Sequence, residues 1–435
     1  MRSRAIAILI TTISVSILLG AAPGNTEALR TPTPPVPAPI TPDTSGCPNR
    51  TTPPPPIDLS EVPPSGRQLT EPLPLPDRPV GGERMGECGL VLPDGAAAPP
   101  EGISAASWLL ADAATGEVLA AKDPHARHRP ASTIKLLTAL LVADRLPPDR
   151  IVVATEADAD QEGSRAGIGP GGSYTVRQLL AGLLLVSGND AAHALAEQLG
   201  GLPTTITQLN DLATKLGAQD TRVATPSGLD GPGMSTSAYD LTLVFRHVLH
   251  DPLLAELLNI AVVDFPGFAD RPGFMISNDN RLLANYPGAV GGKTGFTDDA
   301  RHTYVGAAVR GNRPLMVVLL RGEQRPVPMW EQAARLLDYG FALPPGSAVG
   351  QLVTGTQLTE THPADIQLTE TPSAPARSAQ PQQSVTTLPP GSGDGDTVSL
   401  GGSSAPEGTV MWPVWLVLTI SALAILGVLI VRKRT

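Results

Sequence analysis

Apolar positions along the 435-residue chain concentrate in three places: residues 5–22, a central stretch from about 102 to 343, and residues 410–431. The period of the pattern changes within the central stretch. Residues 107–121 (SWLLADAATGEVLAA) read as two strands joined by a turn around Thr115-Gly116. From Ser132 onward, Ile134, Leu136, Leu137, Leu140, Leu141 and Val142 cover almost the whole circumference of a helix. A helix apolar on nearly every side is predicted to lie buried at a domain centre. Residues 175–186 and 191–199 predict further helices on either side of a short break. Strands are predicted over 304–309 and 315–320, around a turn at Gly311-Asn312, and a closing helix over 331–339. Strands at both ends with helices between them predict an α+β domain whose terminal strands share one antiparallel sheet.

The two outer apolar runs have a different character. Arg2 and Arg4 precede residues 5–22, and small residues follow near Ala22 or Ala28, so residues 1–28 read as a secretory signal peptide. An uncleaved signal anchor would leave the central region on the same side. Residues 410–431 contain Pro413, Thr419 and Ser421 but no charge. A helix of about 21 residues rising ~1.5 Å each reaches the ~30 Å thickness of the hydrocarbon layer. Trp412 and Trp415 stand where an outer-interface aromatic belongs, and Arg432, Lys433 and Arg434 follow at once. Because Lys and Arg favour the cytoplasmic side, the expectation is a single-pass transmembrane helix with a cytoplasmic tail (432–435) and everything before it outside.

Composition dilutes the central domain with linkers. The chain holds 46 prolines and 44 glycines, and only 3% of residues are aromatic. Residues 29–101 are studded with Pro, and residues 344–409 are rich in Ser, Thr, Gln and Pro. Neither shows an apolar period, so both are expected to be extracytoplasmic spacers. The net charge of -10, with no basic patch beyond a few residues at the ends, excludes a general nucleic-acid binder. Cys47 and Cys88 are the only cysteines, and both lie in the N-terminal extension. Two readings stay open for them: a disulfide worth roughly 4 kcal/mol by loop-closure entropy, or a free or intermolecular thiol. No histidines accompany them in a zinc-site spacing, and His247 and His250 lack the H-E-x-x-H arrangement, so no metal and no cofactor is expected.

Three short motifs carry the candidate chemistry. In Ser132-Thr133-Ile134-Lys135, residues three apart at a helix start share a face, so hydroxyl and amine can meet. A serine needs a base to become nucleophilic, and a lysine kept neutral by burial or a neighbouring cation supplies one. Ser187-Gly188-Asn189 falls in the break between two apolar helical stretches, where a hydroxyl can relay a proton and an amide can bind a peptide carbonyl. Lys293-Thr294-Gly295, followed by Phe296, suits a strand edge along which a substrate backbone lies. Taken singly, the three read more readily as a helix N-cap, a turn and a strand end than as a site.

Together and in this order, S-x-x-K, S-x-N and K-T-G resemble the active-site serine penicillin-recognising family. The middle member is Ser-Gly-Asn, not the Ser-Asp-Asn of class A β-lactamases. With Phe296-Thr297 after the third motif, and with residues 224–230 (ATPSGLD), the chain looks like the D-alanyl-D-alanine carboxypeptidases over about residues 102–343. The resemblance implies a β-lactamase/DD-peptidase-like fold with a helical subdomain. Its substrates would be peptidoglycan stem peptides ending in D-Ala-D-Ala, and β-lactams its covalent inhibitors. It assigns Ser132 as nucleophile, Lys135 as general base and Ser187 as proton donor to the leaving amine. Asn189, Lys293, Thr294, Gly295 and Phe296 become substrate-binding residues, the oxyanion lying between the N–H groups of Ser132 and Phe296.

Two departures stand out. A polar linker and a spanning helix replace the second β-rich domain and amphipathic helix common in the family, as in an actinobacterial form. Asn278-Asp279-Asn280 also stands where some relatives place a basic residue, which directs any auxiliary carboxylate contact to Arg281 or Arg301. Among other readings, a class A β-lactamase lacks its Glu-x-x-x-Asn pattern, since Glu197 is followed four residues later by Gly201. A DD-endopeptidase or transpeptidase would use the same residues. A non-turnover sensor would need more than a four-residue tail to signal through.

Overall fold

The computed structural model describes residues 47, 49–63, 65–66 and 68–355. A short strand β1 (Leu90–Val91) precedes the hairpin β2 (Ser107–Asp112) and β3 (Glu117–Lys122). Helix α1 (Lys135–Arg145), strand β4 (Ile151–Val153), helix α2 (Glu156–Ala159) and strand β5 (Ser173–Thr175) follow. The helical part continues through α3 (Val176–Leu185), α4 (Asn189–Gln198), α5 (Leu202–Leu216), α6 (Ala238–His250) and α7 (Pro252–Asn259). A small hairpin, β6 (Val262–Phe265) and β7 (Phe274–Ser277), and helix α8 (Leu282–Asn285) lead into β8 (Ala289–Thr297), β9 (Arg301–Arg310) and β10 (Arg313–Gly322). Helix α9 (Met329–Ala342) and β11 (Gly350–Gln351) complete the described chain.

The main sheet is antiparallel, in the order β1-β3-β2-β10-β9-β8, with β11 also paired to β3. The chain's early and late strands therefore meet at β2 and β10, as the terminal-strand pattern predicts. Alternation along these strands separates two cores. Trp108 and Leu110 of β2, with Leu315, Val317 and Leu319 of β10, pack under α9. Leu109 and Ala111, with Met316, Val318 and Leu320, face the helical layer on the other side. Both faces are covered, so β2 is buried along its whole length.

Helix α1 lies in the middle of that helical layer, in contact with α3, α4, α5, α6 and α7. This is why its sequence is apolar nearly all round. Local chemistry fixes the ends of its neighbours. Thr175 and Gln178 form a capping box at α3, and Ser237 caps α6 by accepting from the Asp240 N–H. Gly217 ends α5 in the left-handed conformation.

The N-terminal extension departs from the spacer expected over 29–101. From Asn49 onward its described part runs over the surface of the domain. Buried Arg127 donates to the carbonyls of Thr51 at 2.8 Å, Leu73 at 2.6 Å and Pro74 at 2.9 Å, and to Asp220 Oδ1 at 3.0 Å. Arg129 pairs with Glu61 and donates to the Pro54 carbonyl at 2.6 Å. The Ile57 N–H donates to Asp299 Oδ1 at 2.6 Å. A Pro-rich segment has few N–H groups and cannot build its own ladder. Here guanidinium groups of the domain satisfy its carbonyls, an arrangement that leaves no apolar period to read. The Cys47–Cys88 disulfide, Cα atoms 5.1 Å apart, closes this strap. At the other end, order continues beyond residue 343, where Tyr239 donates to the Gln351 carbonyl at 2.8 Å. Residues 1–28, expected to be a signal peptide, residues 410–431, expected to span a membrane, and most of the second expected spacer lie outside the described residues. Among the described residues, no helix is long and apolar enough to cross a membrane.

Candidate active site

Ser132 sits in a single 3-10 turn (Ala131–Ile134) that runs directly into α1, so Lys135 is the first residue of that helix. The turn is entered through Ala131, whose φ of 47° is an uncommon conformation for a residue with a side chain. It is held there from within the turn and from outside it. The Pro130 carbonyl accepts from Thr133 Oγ1 at 2.5 Å and from Thr303 Oγ1 of β9 at 2.8 Å. Gly228 also approaches so closely that a Cβ there would stand 2.0 Å from the Ala131 carbonyl oxygen.

Lys135 is fully buried, and its amine has three neighbours. Nζ donates to Asn189 Oδ1 at 2.7 Å and to the Ser227 carbonyl at 2.5 Å, and it lies 2.9 Å from Ser132 Oγ. The first two neighbours can only accept. In its neutral form the amine has two N–H bonds and one lone pair, so with both hydrogens taken the lone pair faces the serine hydroxyl. Burial, then the charge of Lys293, holds the Lys135 amine well below the usual lysine range, against the opposing pull of Asp279 and Asp190. Geometry and electrostatics thus favour a neutral Lys135 amine beside the Ser132 hydroxyl.

The break between α3 and α4 places Ser187 and Asn189 in the same cleft. Ser187 has a φ of 61°. The sequence expectation gives Asn189 to a substrate carbonyl, but both ends of its amide are engaged within the protein. Its oxygen holds Lys135, and its nitrogen donates to the Glu162 carbonyl at 2.6 Å. Next to it, the buried Asp190 carboxylate accepts from the N–H groups of Ala166, Gly167 and Ile168, at 2.7, 2.8 and 3.2 Å, and fixes the opposite rim.

Strand β8 is the open edge of the sheet and forms the facing wall. Thr294, Gly295 and Phe296 line a cleft of about 750 Å³ together with Ser132, Ser187 and Asn189. Gly295 lets β8 lie against the Ser132 turn: a Cβ there would be 2.4 Å from Thr303 Oγ1 and 2.9 Å from the Ser132 nitrogen. Lys293 lies behind this wall, fully buried, with Nζ donating to the Thr294 carbonyl at 2.8 Å. Burial lowers its affinity for a proton, partly offset by Asp279. Arg301 is paired with Glu323 at 3.2 Å, whereas Arg281 lines the cleft.

All eight residues singled out in the sequence thus converge, Lys293 from behind. The Ser227 carbonyl, Asp190 and Asp279 were not read as site residues. Only the ATPSGLD stretch carried a signal for the first of these.

A family model described as D-alanyl-D-alanine carboxypeptidase matches residues 94–324. The chain belongs to the D-alanyl-D-alanine carboxypeptidase family. It is 48% identical over 267 residues to the D-alanyl-D-alanine carboxypeptidase DacB2 of Mycobacterium tuberculosis, covering 60% of this chain and 90% of that protein. The carboxypeptidase DacD of Salmonella typhimurium is 35% identical over 255 residues, which is 55% of this chain and 64% of that one. Among solved structures, a D-alanyl-D-alanine carboxypeptidase of Mycobacterium tuberculosis superimposes with a TM-score of 0.58 at 47% identity, covering 60% of this chain and all of that one (100%). A Streptomyces DD-transpeptidase superimposes with a TM-score of 0.54 at 29% identity, over 57% of this chain and 100% of that one. This DD-carboxypeptidase is therefore a serine peptidase, and the described part of the strap before residue 94 lies outside the family match.

Proposed function

We propose that this DD-carboxypeptidase removes the terminal D-alanine from peptidoglycan stem peptides by way of an acyl-enzyme on Ser132. The observation that carries the reading is the Lys135 amine, whose two acceptor partners leave its lone pair for the Ser132 hydroxyl 2.9 Å away. Lys135 takes the hydroxyl proton as Oγ attacks the carbonyl carbon of the penultimate D-alanine. The N–H groups of Ser132 and Phe296 face the oxyanion, and such donors typically contribute roughly 2.7–4 kcal/mol each to transition-state stabilisation. The C–N bond then breaks, and Ser187 passes the proton to the departing D-alanine nitrogen. Water activated by Lys135 hydrolyses the ester, giving the shortened peptide acid and free Ser132. Thr294, in the field of Lys293, receives the substrate's terminal carboxylate. β-Lactams acylate the same serine and leave it slowly.

The reading extends to location. Residues 1–28 direct export, residues 410–431 anchor the protein in the cell membrane with residues 432–435 in the cytoplasm, and residues 356–409 let the domain reach outward. Deleting residues 410–435 is expected to release the protein from carbonate-washed membranes; retention would remove this part. For the chemistry, the protein is incubated with a penicillin, digested and weighed. A penicilloyl adduct on the peptide carrying Ser132 is expected, and an adduct elsewhere would contradict the assignment. Transfer of the acyl group to an amine in place of water would engage the same residues, as in a DD-transpeptidase, and is distinguished by the product.

A further inference from the structure

The Thr294 hydroxyl has one proton, and in this structure it goes to a protein carboxylate: Thr294 Oγ1 donates to Asp279 Oδ2 at 2.8 Å. Asp279 lines the cleft, and among the described residues that line it, Asp279 carries the only acidic side chain. It is exposed at the end of β7, with its own N–H fixed to the Leu185 carbonyl at 2.9 Å. It also acts on the buried cations of the site, favouring the charged forms of Lys135 and Lys293. Asp279 thus holds the donor, and shares the positive field, that a substrate carboxylate entering beside Thr294 would need.

We propose that Asp279 is a specificity-determining residue that competes with the free terminal carboxylate of the substrate. The inference rests on the reading of Thr294 as the residue that meets the substrate's terminus. For a carboxylate to take the Thr294 proton, Asp279 must give it up, and two negative groups are then left around one donor. A substrate whose last residue ends in an amide, or continues as a peptide, brings a neutral terminus with an N–H of its own. That N–H donates to Asp279 without disturbing Thr294. The cleft therefore discriminates less strongly in favour of free carboxylates than the K-T-G motif alone implies, and it accepts amidated or extended D-Ala-X ends.

The test measures release of the last residue by the full chain from two peptides that differ only in a terminal carboxylate or carboxamide. Asp279→Asn is expected to raise the carboxylate-to-amide ratio of kcat/KM about tenfold, the worth of one charge-assisted hydrogen bond. Because a shift in Lys135 basicity moves both substrates alike, the ratio isolates the effect on the terminus. In a Thr294→Val background the gain should vanish, as a double-mutant cycle requires. An unchanged ratio, or a gain that persists without the Thr294 hydroxyl, overturns the proposal. The same ratio is read from acylation by a penicillin and its carboxamide. Should neither peptide be cleaved while Ser132 still takes penicillin, the carboxypeptidase reading fails by itself and the penicillin pair decides the role of Asp279.

Discussion

Asn189 holds Lys135 at 2.7 Å through its amide oxygen while its amide nitrogen is tied to the Glu162 carbonyl at 2.6 Å. Both ends are fixed, so the amide cannot reverse without setting a donor against a donor. This contact directs one N–H of Lys135 away from Ser132. Asn189→Ala is expected to lower the acylation rate at least about a hundredfold, the lower range for loss of a positioned general base. Stopped-flow acylation by a chromogenic cephalosporin checks this. Asn189→Asp keeps the shape but adds a charge that favours the ammonium form, so its rate should recover at higher pH.

Acylation requires the neutral form of Lys135, so its rate should rise with pH through the Lys135 titration and then level off. Burial and the Lys293 charge both hold that titration below the ordinary lysine range. Removing the second cation makes the ammonium form easier to keep. Lys293→Gln should therefore move the acidic limb of the pH–rate profile to higher pH, and Asp279→Asn should move it to lower pH. Single-turnover acylation rates across the pH range test both signs.

Gly295 is the point where β8 meets the Ser132 turn. A methyl group there would contact Thr303 Oγ1 at 2.4 Å and the Ser132 nitrogen at 2.9 Å. Relieving those contacts means parting the strand from the turn, which spreads the donors proposed for the oxyanion. Gly295→Ala should cost about two orders of magnitude in kcat, comparable to the loss of one oxyanion donor. It should retain cooperative unfolding, because the displaced strand is an edge. Paired kinetic and urea-unfolding measurements separate the two effects.

The strap is predicted to be part of the folding unit. Glu61→Ala leaves Arg129, with a side chain only 2% exposed, without its carboxylate partner. Breaking a buried pair from one side costs about 3–5 kcal/mol. A fragment beginning at residue 102 loses the strap partners of Arg127, Arg129 and Asp299 together and should be less stable than one spanning 47–355. Urea midpoints of the two fragments provide the comparison.

The hairpins β2–β3 and β9–β10, the buried helix α1, and the break between α3 and α4 were all legible from period and turn chemistry. The three motifs were legible because their spacing is local. The strap was not, because buried arginines of the domain hold its carbonyls and give it no apolar face of its own. The third partner of Lys135 was also hidden: the Ser227 carbonyl is a backbone atom, and any side chain at that position would supply it. Asp279 was noted in sequence only as part of Asn278-Asp279-Asn280, where some relatives place a basic residue, and its hydrogen bond to Thr294 becomes visible only when the cleft walls are paired. Asn189 lines the cleft, yet its attachment to Lys135 was not legible, because it depends on the packing of α4 beside α1.

Ser132, activated by Lys135, is proposed to release D-alanine from a D-Ala-D-Ala terminus. The most direct measurement is D-alanine released from such a peptide by the full-length protein, with Ser132→Ala alongside. Release by the native protein and none by the variant is the expected result. Native protein that is folded and still takes up labelled penicillin, yet releases no D-alanine, would contradict it.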